Sequence, residues 1–358
     1  MNDFRRWDGF QDGPFIRRVL IVTAFVLLAL ILWKLSNVLI LAFGAVLVAV
    51  ILHAAADALE QYGRVPSRWA LTTATILVVL LFVTVIVLFG AQMRTQLSFV
   101  AERLPFALNN MLKELGLGAL VEQWPEMLGL TPGGDFVARI AGIGGAVLSG
   151  LADFLLVAIG GIYIAAAPRT YWMGLVKLFP AAQHDRIESS LTAAGRALRL
   201  WVIGQLIAMT IVGVLTATAL WLIGVPSFIA LGLIAGLMDF IPFVGPILGA
   251  VPAILLAFTV DGYTVLWTIG ALVLIQQLEG NVIFPMIEKR AVAVPPALAL
   301  FAIVAGGVLF GTPGFIFGFP LAVVAFVLVK KLYVRETLGE ATPVPGEPAS
   351  EAGRLPSK

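Results

Sequence analysis

The chain has 358 residues, of which 60% are hydrophobic and only 12% are charged, and its formal net charge is +2. Soluble domains carry about 25% charged residues, so this chain could not cover a water-facing surface of its size. It has no cysteine, which excludes disulfides and thiolate metal sites, and its two histidines, His53 and His184, are far apart in sequence. Composition therefore predicts an all-α polytopic membrane protein with about eight hydrophobic segments, without a metal or other cofactor.

Three transmembrane helices are predicted within residues 17–91, after a cytoplasmic N-terminal segment of residues 1–16. The first two helices, residues 17–33 and 38–59, are separated by only a short turn. We therefore expect them to form a tight antiparallel hairpin. Apolar runs of this length suit α-helices that cross the hydrocarbon core of a bilayer.

The remaining elements alternate between polar and strongly apolar stretches. In chain order we expect a periplasmic helical module over residues 92–136, a fourth transmembrane helix over 137–167, cytoplasmic amphipathic helices over 168–199, a transmembrane core with broken helices over 200–335, and a disordered cytoplasmic tail over 336–358. The end of the tail is rich in Pro, Gly, Ala and Glu, a composition that cannot bury enough apolar surface to fold.

Lysine and arginine residues cluster in short loops that can all lie on one side of the membrane. They precede the first span, separate the second from the third and the fourth from the fifth, and follow the last apolar run. Short cytoplasmic loops carry an excess of positive charge. Both termini are therefore predicted to be cytoplasmic, with the module at residues 92–136 on the outside.

Two apolar segments in the last third of the chain are interrupted by proline and glycine. The first contains Asp239-Phe-Ile-Pro242-Phe-Val-Gly245-Pro246, and the second contains Gly311-Thr-Pro313-Gly314. Proline removes a helical N–H, and glycine permits a sharp reversal of the backbone. A helix broken inside a bilayer exposes backbone groups that only protein or a watery cavity can satisfy, and membrane transporters use this arrangement.

Each broken segment is either a hairpin that enters and leaves the membrane on one side or a single interrupted span. Two single spans would leave the loop at Glu288, Lys289 and Arg290 outside, whereas two hairpins would leave it inside. The two positive charges favour hairpins. The first hairpin would enter from outside and the second from the cytoplasm, as in an inverted repeat.

Asp239 is the strongest candidate for a functional side chain, because a charge inside an apolar segment is costly. It directly precedes the break at Pro242, where backbone carbonyls are freed. There it could bind a cation, carry a proton or accept hydrogen bonds from a polar solute. The alternative is a structural role, in which Asp239 caps the N-terminus of the returning helix.

A second polar cluster lies at the end of the apolar helix between the two breaks. Its amides suit a polar, hydroxyl-rich solute, or act as hydrogen-bonding contacts between helices. Alternatively, its carboxylate reaches the membrane interface or pairs with Lys289 or Arg290. The members of the cluster are Gln276, Gln277, Glu279 and Asn281.

Two further acidic residues lie within predicted spans. Asp153, well inside the fourth span, is a third candidate for ion coupling beside Asp239 and Glu279; its structural alternative is a hydrogen bond to Ser149 or to another helix. Asp57 lies near the end of the second span, and we interpret it as part of a solvated helix end.

The sequence lacks the common signatures of membrane enzymes. It has no Walker A lysine loop for ATP hydrolysis and no His-Glu-x-x-His helix for a metalloprotease. Its Gly-Ser-type sequences have no partnered histidine or aspartate that would indicate a serine protease. We therefore do not expect an enzyme.

Three motifs together resemble the autoinducer-2 exporter (AI-2E) family of bacterial transporters. In chain order they are Phe240-Ile-Pro242-Phe-Val-Gly245-Pro246-Ile-Leu-Gly249-Ala-Val-Pro252, Gln277-Leu-Glu279-Gly-Asn281-Val-Ile-Phe-Pro285 and Gly306-Gly307-Val-Leu-Phe-Gly311-Thr-Pro-Gly314. The resemblance extends over roughly residues 17–335.

The resemblance implies a permease of the bacterial inner membrane that assembles as a homopentamer in the bilayer. Members of the family are linked to export of autoinducer-2, a quorum-sensing signal, and others to sodium/proton exchange. This sequence departs from the family at Ile162-Tyr163-Ile164-Ala-Ala-Ala167, where relatives often carry an acidic residue. If that position serves ion coupling in the family, its absence argues against coupling here.

The sequence-based hypothesis is a secondary transporter of a small polar solute, with its route at the two breaks and the polar cluster. One alternative is a Na⁺(Li⁺)/H⁺ antiporter that uses Asp239 or Glu279, with a monovalent cation as the ligand. Another is a membrane scaffold without transport activity. Nucleic acid is not expected as a partner. Fold resemblance does not identify a substrate.

Overall fold

The structure is a computed structural model that describes residues 13–84, 135–288, 294–340 and 342–345. Across these ranges the chain consists of helices joined by turns, without a β-strand. Such a chain satisfies its backbone hydrogen bonds within each segment, as a helical membrane protein requires. The predicted periplasmic module lies outside the described residues except at its end.

The helices are numbered here in chain order. They are α1 Gly13–Lys34, α2 Ser36–Gln61, α3 Ser67–Thr84, α4 Asp135–Ala166, α5 Pro168–Val176, α6 His184–Ile223, α7 Phe228–Met238, α8 Gly245–Ala257, α9 Gly262–Leu278, α10 Phe284–Glu288 and α11 Pro296–Leu328. Two π-helical turns, Glu279–Ile283 and Val329–Arg335, continue α9 and α11.

By length and composition alone, five helices in the described part of the chain could cross a membrane, namely α2, α3, α6, α9 and α11 with their adjoining turns. The pair α4 and α5, bent by 90°, is a sixth candidate. The all-α polytopic class is therefore confirmed. α7 and α8 are each too short to cross alone, which is one reason that up to six spans are found instead of about eight.

The predicted antiparallel hairpin between the first two spans is wrong. α1 runs into α2 through the single non-helical residue Leu35, with φ −88° and ψ 0°. Helical hydrogen bonds cross this residue, since its N–H donates to the Ile31 carbonyl and its carbonyl accepts from the Leu39 N–H. The polar residues at Lys34 and Ser36 therefore mark a distortion of the helix and not a reversal of the chain.

α6 is the central helix of the structure, and it packs against α2, α7, α9 and α11. It runs unbroken for 40 residues, about 60 Å at the helical rise. The predicted cytoplasmic helices and fifth span are thus largely one continuous helix from His184. It ends at Gly224, whose φ of +89° is the left-handed conformation that glycine adopts readily at helix ends.

The first broken segment is a hairpin made of α7 and α8. The chain reverses between Asp239 and Gly245, and the residue with positive φ is Phe243, at +67°. Gly245 serves close packing instead, because a Cβ atom there would collide with the Met238 carbonyl. Further along, a Cβ on Gly249 would lie 2.8 Å from the Ala235 Cα. The two helices therefore pack backbone to backbone.

The second broken segment is also a hairpin, formed within α11. The backbone reverses at Gly311, with φ +64° and ψ −146°. The arms then pack against each other, since a Cβ on Gly314 would collide with the Gly306 carbonyl and one on Gly318 would lie 2.8 Å from the Ala302 carbonyl oxygen. Residues so far apart along one straight helix could not touch, so both broken segments fold back.

Part of the predicted disordered tail packs on the helices. Val344 is only 5% exposed and belongs to the largest apolar cluster. Arg335 donates to the Thr342 carbonyl at 2.8 Å, and Glu336 forms an ion pair with Arg186 of α6. The composition of the tail did not reveal this apolar anchor or these two polar contacts, which pack residues 336–340 and 342–345 onto the helices.

Candidate functional site

Asp239 lies at the end of α7, at the tip of the first hairpin. Its side chain is 1% exposed, and neither carboxylate oxygen has a hydrogen-bond partner. Buried polar groups are almost always hydrogen-bonded, so each exception calls for an explanation. The predicted capping role is wrong, because Asp239 is the C-cap of α7 and α8 begins at Gly245 without any side-chain cap.

Several backbone groups of the turn around Asp239 form hydrogen bonds with α7 or within the turn. The N–H groups of Phe240 and Ile241 donate to the last turn of α7, and the Gly245 N–H donates to the Ile241 carbonyl. The Asp239 carbonyl instead accepts a hydrogen bond of 2.7 Å from the side-chain amide of Gln205 on α6. A side chain from another helix thus completes the hydrogen bonding of the break.

Glu279 is the second buried carboxylate, at the start of the π-helical turn that follows α9. It is 3% exposed, so the prediction that it reaches the membrane interface is wrong. The wider turn closes with a bond from the Phe284 N–H to the Glu279 carbonyl. Pro285 next to it lacks an N–H for the regular pattern. π-Helical turns occur frequently at functional sites.

The carboxyl groups of Asp239 and Glu279 interact directly across the junction of the first hairpin and α9. They are close enough to repel each other when both are ionised and to share a hydrogen bond when one is protonated. No other group bonds the Asp239 carboxyl. The described residues form two ion pairs, and neither of them includes Asp239 or Glu279. We call Asp239 and Glu279 the carboxyl pair.

The described residues contain no group of three or more His, Asp or Glu side chains that could hold a metal ion. The carboxyl pair offers four oxygens and, within its own side chains, no nitrogen or sulfur. That chemistry suits a proton or a hard cation and not a transition metal.

The predicted amide cluster divides between two faces of the helix. The exposed Gln276 reaches inward, with its amide 3.4 Å from the Glu279 carboxylate. Gln277 and Asn281 are exposed and bond to each other, with the Asn281 amide 3.0 Å from the Gln277 side-chain oxygen. The structure therefore brings Gln276 near Glu279, while Gln277 and Asn281 point outward.

The residues of the two breaks shape the backbone around the site. Pro242 lies in the turn of the first hairpin, between α7 and α8, and Gly245 and Pro246 begin α8. In the second hairpin, Gly311 makes the reversal, while Pro313 and Gly314 begin the returning arm. Gly314 is buried against the first arm. These residues supply the geometry, and the carboxyl pair supplies the charge.

Trp201 connects the two hairpins. Its ring packs edge-on against Phe240 in the first hairpin, with centroids 5.9 Å apart, and against Phe319 in the second, at 5.4 Å. The side chain is 5% exposed. Trp201 lies one helical turn before Gln205, so both project from the same face of α6.

The other acidic residues lie elsewhere. Asp153 is half-buried on α4, which packs against α2 and not against the hairpins. Its neighbour Phe154 stacks on Phe82 with ring centroids 3.9 Å apart. Asp57 forms an exposed ion pair with Arg199 at the end of α2, which agrees with the interpretation of a solvated helix end.

Sequence reasoning missed Gln205 and Trp201. An uncharged amide inside the apolar run of α6 was the available signal for Gln205. Polar side chains within a membrane span are costly and usually have a partner. Trp201 had no such signal, because an aromatic residue in an apolar helix is ordinary.

Apolar helices, two fold-back hairpins and a buried carboxyl pair where the first hairpin meets α9 are features of a helical membrane transporter. Residues 20–333 match the family model described as "AI-2E family transporter". Because that match covers most of the chain, the protein belongs to the AI-2E transporter family.

Three curated relatives agree with this assignment. The chain is 34% identical over 161 residues to the "Putative transport protein YrrI" of Bacillus subtilis, which is 45% of this chain and 44% of that protein. It is 32% identical to "Putative transport protein MT0215" of Mycobacterium tuberculosis, over 44% of each chain. It is 29% identical to a "Putative transport protein" of Thermotoga maritima over 50% of this chain and 55% of that one. The matches thus span about half the length of these relatives.

Proposed function

We propose that the protein is a secondary transporter that carries a small polar solute across the membrane, with the carboxyl pair as its coupling site. The observation that carries this proposal is the pair itself: two buried carboxyl groups, from segments distant in sequence, meet at the tip of a broken helix. Transporters of broken-helix design bind their ligands at such junctions.

The electrostatics of the pair explain how it would couple transport to an ion gradient. Two adjacent carboxylates cannot both remain ionised in a dry, low-dielectric site, because each loses its hydration and repels the other. A shared proton or one monovalent cation removes that penalty. Loading and unloading of this ion would change the charge at the hairpin tip and so favour different positions of the hairpin.

The route would run along the two breaks. Asp239, Glu279 and Gln276 would contact the ligand, while Pro242, Gly245, Pro246, Gly311, Pro313 and Gly314 would shape the moving hairpins. Gln277 and Asn281 would face lipid or a neighbouring subunit, since they are exposed in the single chain. Asp153 would have no direct part, because α4 packs on α2.

The family resemblance supports autoinducer-2 as the first solute to test, with export across the bacterial inner membrane and a role in quorum sensing. It also supports a homopentamer with both termini in the cytoplasm. The apolar surface of α1, exposed along residues 19–33, is available for lipid or for a second copy of the chain.

Monovalent cation/proton antiport is a second candidate function. The carboxyl pair favours it specifically, because a pair that exchanges one proton for one cation needs no further ligand. A scaffold without transport activity would leave the unsatisfied carboxyl group of Asp239 without a purpose.

Purified protein in liposomes tests these proposals. We expect it to move a polar solute, or Na⁺ against H⁺, faster than empty liposomes under an imposed sodium or proton gradient. Flux of the solute that needs the gradient supports the first candidate, and cation-for-proton exchange without solute supports the second. No flux of any kind above empty liposomes would contradict both.

A further inference from the structure

We propose that Gln205 is a positioning residue for the carboxyl pair: by holding the Asp239 carbonyl, it fixes the hairpin tip from which the Asp239 carboxyl meets Glu279. This inference rests on the proposed role of the pair in transport. Gln205 touches neither carboxyl group in the described contacts, so its effect is exerted through the backbone of Asp239.

The backbone carbonyl of Asp239 takes its hydrogen bond from Gln205. In an uninterrupted helix, the Asp239 carbonyl would accept from the N–H four residues later, that of Phe243. The positive φ of Phe243 turns the chain away at that point. The Gln205 amide takes the place of the missing donor at 2.7 Å, and its side chain is 5% exposed. A buried carbonyl without this donor would be left unsatisfied.

The position of the Asp239 side chain depends on its backbone. Apart from the Glu279 carboxyl group, its two oxygens have no hydrogen-bond partner, so no other neighbour fixes its direction. The position of the carboxyl group then depends on where the backbone holds its Cα atom. Gln205 bonds the carbonyl of this same residue, so it holds the backbone from which the Asp239 side chain reaches Glu279.

Close packing between α6 and the first hairpin supports Gln205. Trp201, one turn earlier on α6, packs on Phe240, the residue after Asp239. α6 and α7 also approach closely, since a Cβ on Gly213 would lie 3.1 Å from the Gly232 carbonyl oxygen. The amide of Gln205 is thus presented by a rigid surface, which is what a positioning group requires.

In the described residues, two uncharged side chains bond to the residues of the pair. Gln205 on α6 bonds the Asp239 carbonyl, and Gln276 on α9 bonds the Glu279 carboxylate. Lys289 and Arg290, which follow α10, lie outside the described residues. A substitution at Gln205 therefore changes the geometry of the pair without removing a charge from it.

The test uses Gln205→Leu, which keeps the side-chain size and removes the donor. Thr210→Val is the matched control, because the exposed Thr210 hydroxyl on the same helix bonds only within α6, to the Leu206 carbonyl. Two measurements are made on folded, monodisperse protein: solute flux as a function of pH, and labelling of Asp239 and Glu279 by dicyclohexylcarbodiimide, an apolar reagent that modifies protonated carboxyl groups.

We expect Gln205→Leu to slow turnover by about 10- to 100-fold, the scale for a misplaced reacting group. It should also change the pH dependence of flux and of labelling, while Thr210→Val leaves both unchanged. Gln205→Glu has the same reach and donates only when protonated, so it should restore the wild-type labelling pattern in acid and lose it in base.

The two readouts separate this inference from the proposed function. Absence of flux in the wild-type protein would contradict transport, while the labelling would still report the geometry of the pair. Superimposable labelling profiles of Gln205→Leu and wild type, including no labelling of either protein, would overturn the positioning role. So would a Gln205→Leu variant that merely yields less folded protein with an unchanged pH profile per molecule.

Discussion

The carboxyl groups of Asp239 and Glu279 meet in a buried junction, although the helices α8 and α9 separate these two residues along the chain. Neither of the described ion pairs reaches them. Burying two carboxyl groups in a membrane protein is costly, and such groups mark candidate functional sites.

A protonated carboxyl group is the first expected consequence. Because two adjacent buried carboxylates cannot both stay ionised, dicyclohexylcarbodiimide should label Asp239 or Glu279 in the wild-type protein near neutral pH. Mass spectrometry of the digested protein identifies the adduct. Asp57, which is 45% exposed and paired with Arg199, is an internal control and should remain unlabelled. Equal labelling of Asp57 would show that the reagent does not report the pair.

The reversal at Gly311 should be specific for glycine. Its φ of +64° and ψ of −146° lie in a region that is essentially restricted to glycine. Gly311→Ala should therefore destabilise the protein by about 1–3 kcal/mol, seen as a lower thermal unfolding temperature in detergent. Gly270→Ala on α9 is the control, because a Cβ there meets no atom within 4 Å. An unchanged unfolding temperature for Gly311→Ala would mean that the second hairpin is not formed.

Trp201 should be essential to the junction of the two hairpins. Trp201→Ala removes a buried ring that contacts Phe240 and Phe319, with an expected loss of about 3–5 kcal/mol. Trp221→Ala, on the same helix but 60% exposed, should cost far less. Thermal unfolding of the two variants compares them directly, and equal losses would argue against the packing described here.

The capping of α9 should depend on pH. The Asp261 carboxylate accepts a hydrogen bond of 2.6 Å from the Thr264 N–H, and this bond lowers the pKa of Asp261. A lowered pKa in the folded state means that the stabilisation is present above the ordinary pKa and is lost as pH falls through the lowered value.

Asp261→Ala should accordingly unfold at a lower temperature than wild type at neutral pH. The difference should shrink as the pH falls below about 4, the ordinary range for aspartate. Asp261→Asn, which keeps a capping oxygen, should lie between the two and vary less with pH. A difference between wild type and Asp261→Ala that stays constant down to acid pH would contradict this account of the cap.

Local sequence patterns predicted the broken helices but not their contacts. Pro242, Gly245 and Pro246 predicted the first break, and Gly311 and Pro313 the second, because proline and glycine act on the backbone where they stand. Even so, the left-handed conformation lies at Phe243, not at glycine. Close packing of Gly245 on the Met238 carbonyl explains the glycine, and only tertiary structure reveals that.

The sequence identified members of the candidate site only because charged residues inside apolar segments are costly. Asp239 and Glu279 were both identified, yet their meeting depends on how the first hairpin and α9 pack on α6. Gln205 was missed for the same reason. The predicted turn after α1 was wrong, and so was disorder for residues 336–340 and 342–345, because short polar stretches were taken as breaks, whereas Leu35 keeps helical bonds and Val344 is buried.

The most direct test of the central claim is coupled flux in liposomes that contain wild-type protein, Asp239→Asn, Glu279→Gln or the control Asp57→Asn. A pH dye inside the liposomes reports proton movement while solute or Na⁺ is driven down its gradient. We predict that wild type and Asp57→Asn move protons with the driven species and that either substitution in the carboxyl pair abolishes this proton movement. Proton movement by Asp239→Asn and Glu279→Gln at the wild-type rate would contradict the role of the pair.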